Sequence, residues 1–108
     1  MSAKISCAII GSGNIGADLM LKILNRSKTL RLTAVAGIDP QSEGLAMARE
    51  RGIATTDKGV DGLAAMPEFA AIKMVFDATS AGAHAKNAKI CNAAGKIIID
   101  LTPAAIGP

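Results

Sequence analysis

Apolar residues along the chain fall into short, nearly unbroken runs, separated by longer stretches where they recur every three or four positions. The runs cover residues 5–10, 30–38, 74–76 and 96–101. A strand with one wet face alternates apolar and polar residues, whereas continuous apolarity marks strands covered on both faces, as in parallel sheets. Between the first two runs, Ile15, Leu19, Met20, Ile23 and Leu24 recur at helical spacing and predict a crossover helix whose apolar stripe packs on the sheet.

After Asp39 and Pro40, Ser42 is placed to cap a second helix carrying Leu45, Ala46, Ala48 and Arg49, with Gly52 as its stop. Residues 53–55 are a candidate short strand. Residues 60–66 predict another short helix, ended by Pro67, and residues 69–73 lead into the next strand. Residues 83–94 form an alanine-rich helical stretch stopped by Gly95. Strands alternating with helices predict an α/β fold, a doubly wound and mainly parallel sheet with helices on both faces.

A length of 108 residues accommodates one domain with its own core and leaves little room for a second. Two Phe and no Trp or Tyr remove the stacking platforms that single-stranded nucleic-acid binders use. The formal charge of +3 does not restore that reading. Its only loose group, Lys22, Arg26, Lys28 and Arg31, falls where cations suit a helix carboxyl end. No nucleic-acid partner is expected. Cys7 and Cys91 have neither the spacing of a zinc site nor the density of a disulfide scaffold, which fits a reducing cytoplasm and no metal. With no signal-like segment and no apolar run near the roughly 18 residues of a membrane span, a soluble protein is expected. The chain stops just after a strand and its turn, where an α/β enzyme ordinarily continues.

The strongest chemical signal is Gly11-Ser12-Gly13-Asn14-Ile15-Gly16, because it follows an apolar strand directly and opens an amphipathic helix. In such a turn the first glycine permits the bend, the second admits a pyrophosphate close to the backbone, and the third lets helix and strand pack tightly. Unpaired amides at the helix start and the helix dipole favour the phosphates. Asp39 ends the second strand 23 positions after Gly16, near the spacing for a carboxylate on the adenosine ribose hydroxyls. That combination predicts a Rossmann-type domain binding NAD, since a carboxylate there repels the extra phosphate of NADP and no arginine follows at once to receive it.

The segment Asp77-Ala78-Thr79-Ser80-Ala81-Gly82-Ala83-His84 follows the third long run and falls at the sheet's carboxyl edge, where ligands bind. Thr79 and Ser80 are candidates both for helix capping and for contact with the nicotinamide end. His84 is the single histidine and has no partner acid at a recognisable spacing, so a structural or surface role is expected. Cys7 in a strand and Cys91 on a packing helix are read as small buried hydrophobes. No catalytic residue is assigned.

Three stretches, Gly11-Ser12-Gly13-Asn14-Ile15-Gly16, Phe76-Asp77-Ala78-Thr79-Ser80-Ala81-Gly82-Ala83-His84 and Ile99-Asp100-Leu101-Thr102-Pro103-Ala104-Ala105-Ile106-Gly107-Pro108, resemble the acylating, NAD-dependent acetaldehyde dehydrogenases. Val35-Ala36-Gly37-Ile38-Asp39-Pro40 resembles that family's second-strand ending. The resemblance spans essentially the whole chain. It implies oxidation of a short aldehyde through a cysteine thiohemiacetal, hydride transfer to NAD and release of the acyl group to coenzyme A. It also implies a 4-hydroxy-2-oxovalerate aldolase partner in aromatic or sterol degradation, and contact of Ser12, Gly13, Asn14 and Ile15 with NAD. The family's acyl-accepting cysteine lies beyond Pro108, in a second domain that also supplies oligomer contacts, and neither Cys7 nor Cys91 matches it. Other readings are a stand-alone NAD-binding regulatory module, or the same part of an aspartate-semialdehyde or glyceraldehyde-phosphate dehydrogenase.

Overall fold

The computed structural model describes residues 4–101. Residues 102–108, which carry most of the third resembling stretch, lie outside them. Strands β1 (Ile5–Ile10), β2 (Leu30–Ala36), β3 (Ala54–Thr56), β4 (Met74–Asp77) and β5 (Ile97–Asp100) form one sheet in the order β3-β2-β1-β4-β5. Every pairing is parallel. Helices α1 (Asn14–Arg26), α2 (Glu43–Glu50), α3 (Gly59–Ala65) and α4 (Ala81–Ala93) make the crossovers, with a 3-10 turn at Pro67–Ala71. The order reverses direction at β1, so the chain leaves one side of the sheet after β3 and returns beside β1 as β4. In open α/β sheets the crevice at such a switch point, outside the strands' carboxyl ends, is where ligands bind.

The two faces of β1 explain its unbroken apolarity. Cys7 and Ile9 face Met20, Ile23, Leu45 and Ala48 of α1 and α2, whereas Ala8 and Ile10 face Val60, Leu63, Ile72 and Cys91 on the other side. A register shift between Cys7 and Ala8 leaves Thr33 opposite the gap in β2. That extra residue turns β2 over, so Leu32 and Val35, three apart, share the α1 and α2 face.

The apolar stripe of α1 is narrower than its spacing predicts. Met20 and Ile23 are buried and Leu19 packs beside them, but Ile15 is 45% exposed and Leu24 39%. The reason is Gly16, which is buried and seats against β1: a Cβ there would run into the Gly11 carbonyl oxygen. With Gly16, Met20 and Ile23 facing inward, Ile15 and Leu24 lie about 100° and about 80° from Gly16 on opposite flanks of the helix and turn to solvent.

Ser42 caps α2, its hydroxyl accepting from the Leu45 amide at 3.3 Å. Ser80 caps α4 the same way, from Ala83 at 3.2 Å, so the helix starts two residues earlier than its alanine content indicates. Gly52 and Gly95 end α2 and α4 in the left-handed region, with φ of 74° and 75°. Strand β2 stops at Ala36 rather than running to Ile38. Gly37 instead pairs with β3 and α3, donating to the Thr56 carbonyl at 2.9 Å and accepting from the Gly59 amide at 2.8 Å. Ile38 is left 84% exposed. Among the described residues, no helix is long and apolar enough to cross a membrane, and no group of ligating side chains is arranged to hold a metal ion.

Candidate functional site

At the carboxyl ends of β1, β2 and β4 lies a cleft of about 700 Å³, within the range that receives a small organic ligand. Gly11, Ser12 and Gly13 line its middle, Ile38, Asp39 and Ser42 one end, and Ala78, Thr79 and Ser80 the other. Lys58, Val60 and Lys86 also reach it. Of the residues singled out by sequence, Asn14, Ile15 and Gly16 do not line the cleft. They form the first turn of α1 behind it, with Asn14 and Ile15 exposed and Gly16 buried.

Each glycine of the turn answers to a different constraint. Gly11 has φ of 114°, and a Cβ on it would stand 2.7 Å from the Ala78 carbonyl oxygen, so the turn lies flush against the end of β4. Gly16 permits the helix-to-strand contact described above. Gly13 is different, because a Cβ there meets nothing within 4 Å. Its bareness is not required by the protein's own packing. Gly13 is also the N-cap of α1 and offers no side-chain cap, whereas α2 and α4 are both capped by serine. The amides of the α1 first turn, which have no intrahelical acceptors, are therefore left without a side-chain cap next to the cleft-lining Gly13.

Two further glycines, missed in the sequence, fix the turn from the side. A Cβ on Gly37 would meet the Ser12 side chain, and one on Gly44 the Ser12 backbone. The Ser42 hydroxyl, which caps α2, also donates to the Ser12 hydroxyl at 2.8 Å. Asp39 is exposed at the mouth, where its Oδ1 accepts from the Gln41 amide at 2.9 Å.

The other end of the cleft holds a polar network. Asp77, at the tip of β4, is fully buried. Its Oδ1 accepts from the Thr79 amide at 3.0 Å and the Thr79 hydroxyl at 2.5 Å. Its Oδ2 accepts from Asn87 Nδ2 at 3.0 Å and meets His84 Nδ1 at 2.7 Å. Burial alone would push the carboxyl up. Hydrogen bonds from the Thr79 hydroxyl, Asn87, the Thr79 amide and His84 outweigh that and hold it below the usual carboxylate range. His84 thus has the partner acid that its linear spacing did not reveal, and its Nε2 stands 3.6 Å from Asp100 on β5. Thr79 does not cap α4; it serves Asp77, and Ser80 does the capping. The signal available in the sequence was the pair His84 and Asn87, three apart on one face of an otherwise alanine-rich helix.

Both cysteines are free, buried and remote from nucleophilic duty. Burial pushes the Cys7 thiol up to about 11. Cys91 is raised by burial and by the Asp77 charge, with Lys96 only partly offsetting them. Both remain thiols at neutral pH, which is the unreactive form.

Comparison with known proteins identifies the family and the fold. Residues 6–105 match the family model described as semialdehyde dehydrogenase, NAD binding domain. The chain is 62% identical over 105 residues to an acetaldehyde dehydrogenase of Sphingobium yanoikuyae, covering 97% of this chain and 34% of that protein. It is 57% identical over 105 residues to one from Salinispora tropica, with 97% and 34% covered. The chain therefore spans about a third of the length of the curated relatives it matches. Among solved structures, myo-inositol 2-dehydrogenase from Lactobacillus plantarum superposes with a TM-score of 0.77 at 21% identity, over 91% of this chain and 28% of that one. The WlbA dehydrogenase from Chromobactrium violaceum, solved with NADH and UDP-GlcNAcA, does so with 0.74 at 26%, over 92% and 27%.

Proposed function

Since the chain belongs to the semialdehyde dehydrogenase NAD-binding-domain family, we propose that its cleft holds NAD with the pyrophosphate on the glycine turn. In this reading Gly11, Ser12 and Gly13 give backbone to the pyrophosphate, while Asn14, Ile15 and Gly16 form the helix turn whose amides and dipole face it. Asp39 receives the adenosine ribose hydroxyls, and Thr79 with Ser80 borders the nicotinamide end. The observation that carries the reading is Gly13. A position bare of side chain, with open space where a Cβ would stand and an uncapped helix behind it, is what close approach of a phosphate requires. Titrating NAD into the chain in a calorimeter tests it: saturable one-site binding is expected, and no heat at millimolar NAD would refute it.

For the longer protein, we propose an acylating acetaldehyde dehydrogenase acting in the cytoplasm, with residues 1–108 as the cofactor domain and the catalytic and oligomer-forming parts elsewhere. A cysteine thiolate outside this chain adds to the aldehyde carbonyl. Bound NAD would supply the hydride acceptor for that carbon as the hydroxyl proton is lost, leaving an enzyme thioester from which coenzyme A would take the acyl group as acetyl-CoA. The identity to named acetaldehyde dehydrogenases along nearly the whole chain supports this assignment. A 4-hydroxy-2-oxovalerate aldolase, supplying aldehyde during aromatic-compound catabolism, is the partner we propose. Both protonated, buried cysteines support placing the nucleophile outside this chain.

A further inference from the structure

Asp77 contributes nothing to the cleft surface, yet four hydrogen-bonding contacts converge on it. A buried carboxylate costs several kcal/mol in desolvation unless donors surround it, and an apolar residue of similar size commonly serves stability as well. What this ion supplies here is geometry. One oxygen takes both the amide and the hydroxyl of Thr79, and the other ties Asn87 and His84 of α4, while Asn87 Nδ2 also donates to the Thr79 hydroxyl at 3.2 Å. The backbone on either side is fixed as well: the Ala78 amide donates to the Ile10 carbonyl, and the Leu101 amide to the Asp77 carbonyl, each at 2.8 Å. Ala78, Thr79, Ser80 and Asn87 all line the cleft at the end opposite Asp39.

We infer that Asp77 is a positioning residue that sets the turn formed by Ala78, Thr79 and Ser80 against the nicotinamide half of the cofactor. This rests on the reading of the cleft as an NAD site, with the adenosine at Asp39. The groups read as contacting adenosine and pyrophosphate follow β1 and β2, and although Gly11 packs on the Ala78 backbone, none of their side chains bonds to Asp77, Thr79, His84 or Asn87. Loss of the carboxylate therefore loosens one half of the site and spares the other.

The test compares NAD with ADP, which lacks the nicotinamide half, on the whole 108-residue chain. Wild type should bind NAD more tightly than ADP. In Asp77→Asn the NAD dissociation constant should rise about tenfold, the size of one charge-assisted hydrogen bond, with that for ADP changed less than about twofold. Thr79→Val, which removes the hydroxyl held by Asp77 and Asn87, should repeat the pattern, and Thr79→Ser, which keeps it, should restore NAD affinity. Thr79→Val decides the matter if Asp77→Asn does not fold. Equal losses for NAD and ADP in the folded variants, or no loss for either, would overturn the inference while leaving the cofactor reading intact. So would a wild type that prefers NAD no more than ADP. A wild type that binds neither removes the cofactor reading, and the inference with it.

Discussion

Ser42 and Ser12 share a hydrogen bond of 2.8 Å between hydroxyls thirty residues apart, and it couples the cap of α2 to the glycine turn. Ser42 accepts from Leu45 with the same oxygen, so one side chain secures the helix start and the turn, while its backbone amide donates to the Asp39 carbonyl at 3.0 Å. Ser42→Ala should lower stability by about 1 kcal/mol through loss of the cap. It should also weaken NAD binding several-fold, because Ser12 is no longer held. Chemical denaturation and calorimetry on the same samples separate the two, and an unchanged affinity would show that the bridge serves folding alone.

Gly13 and Gly16 belong to one motif but should fail differently. Gly16→Ala places a methyl group against the Gly11 carbonyl and should destabilise the fold by roughly 1–3 kcal/mol as the helix shifts off the sheet. A side chain at Gly13 meets open space beside the cleft, so the melting temperature of Gly13→Val should stay near that of wild type while NAD binding is abolished. Melting curves and titrations of both variants check the contrast. NAD affinity surviving in Gly13→Val would move the pyrophosphate elsewhere.

Elements built on local pattern were legible in the sequence. The five strands, the cap at Ser42 and the stops at Gly52 and Gly95 follow from hydrophobic runs and backbone chemistry carried by single residues, whereas the α4 cap was narrowed only to Thr79 or Ser80. The facing of Ile15 and Leu24 was not legible, because periodicity marks a stripe without saying which residue sits at its centre, and the close contact of Gly16 decides that. Nor was the partner of His84. Asp77 lies seven residues earlier across a strand-to-helix turn, and the separation of two side chains there depends on turn geometry rather than on any period. The bridge from Ser12 to Ser42 is a tertiary contact of the same kind.

Asp39 should govern cofactor choice. Its carboxylate stands at the cleft mouth beside β2, and a hydrogen bond to a charged group contributes roughly 1.5–3 kcal/mol. Asp39→Ala should therefore weaken NAD binding by about ten- to a hundredfold and narrow the preference over NADP. Competitive titration with both dinucleotides measures it. Equal affinity of the wild type for NAD and NADP would remove Asp39 from that role.

The Asp77 network should appear in the pH dependence of stability. A carboxylate whose folded value lies below its unfolded one stabilises the fold above the unfolded value, near pH 4, and loses that contribution as pH falls through the folded value. Wild type should therefore exceed Asp77→Asn in stability by a margin that is full near about pH 6 and shrinks towards about pH 3. Urea midpoints of the two proteins across that range test the sign. A margin constant with pH would mean that the carboxylate's charge contributes nothing to the fold.

The 108-residue chain should bind the dinucleotide and yet form no NADH from acetaldehyde and coenzyme A. The thioester route needs a thiolate that reaches a substrate beside the nicotinamide, at the carboxyl edge of the sheet. Cys7 is fully buried in β1 with its thiol pushed up to about 11, and Cys91 is fully buried on α4 with its thiol raised by burial and by Asp77. Neither lines the cleft. A protein of the relatives' full length that contains this sequence should turn over. The deciding comparison is absorbance at the NADH band for both proteins, with Cys7→Ala and Cys91→Ala of the short chain as controls. Activity in the short chain that vanished with either cysteine would place the nucleophile within these residues and overturn the division of labour between the cofactor domain and the remainder of the enzyme.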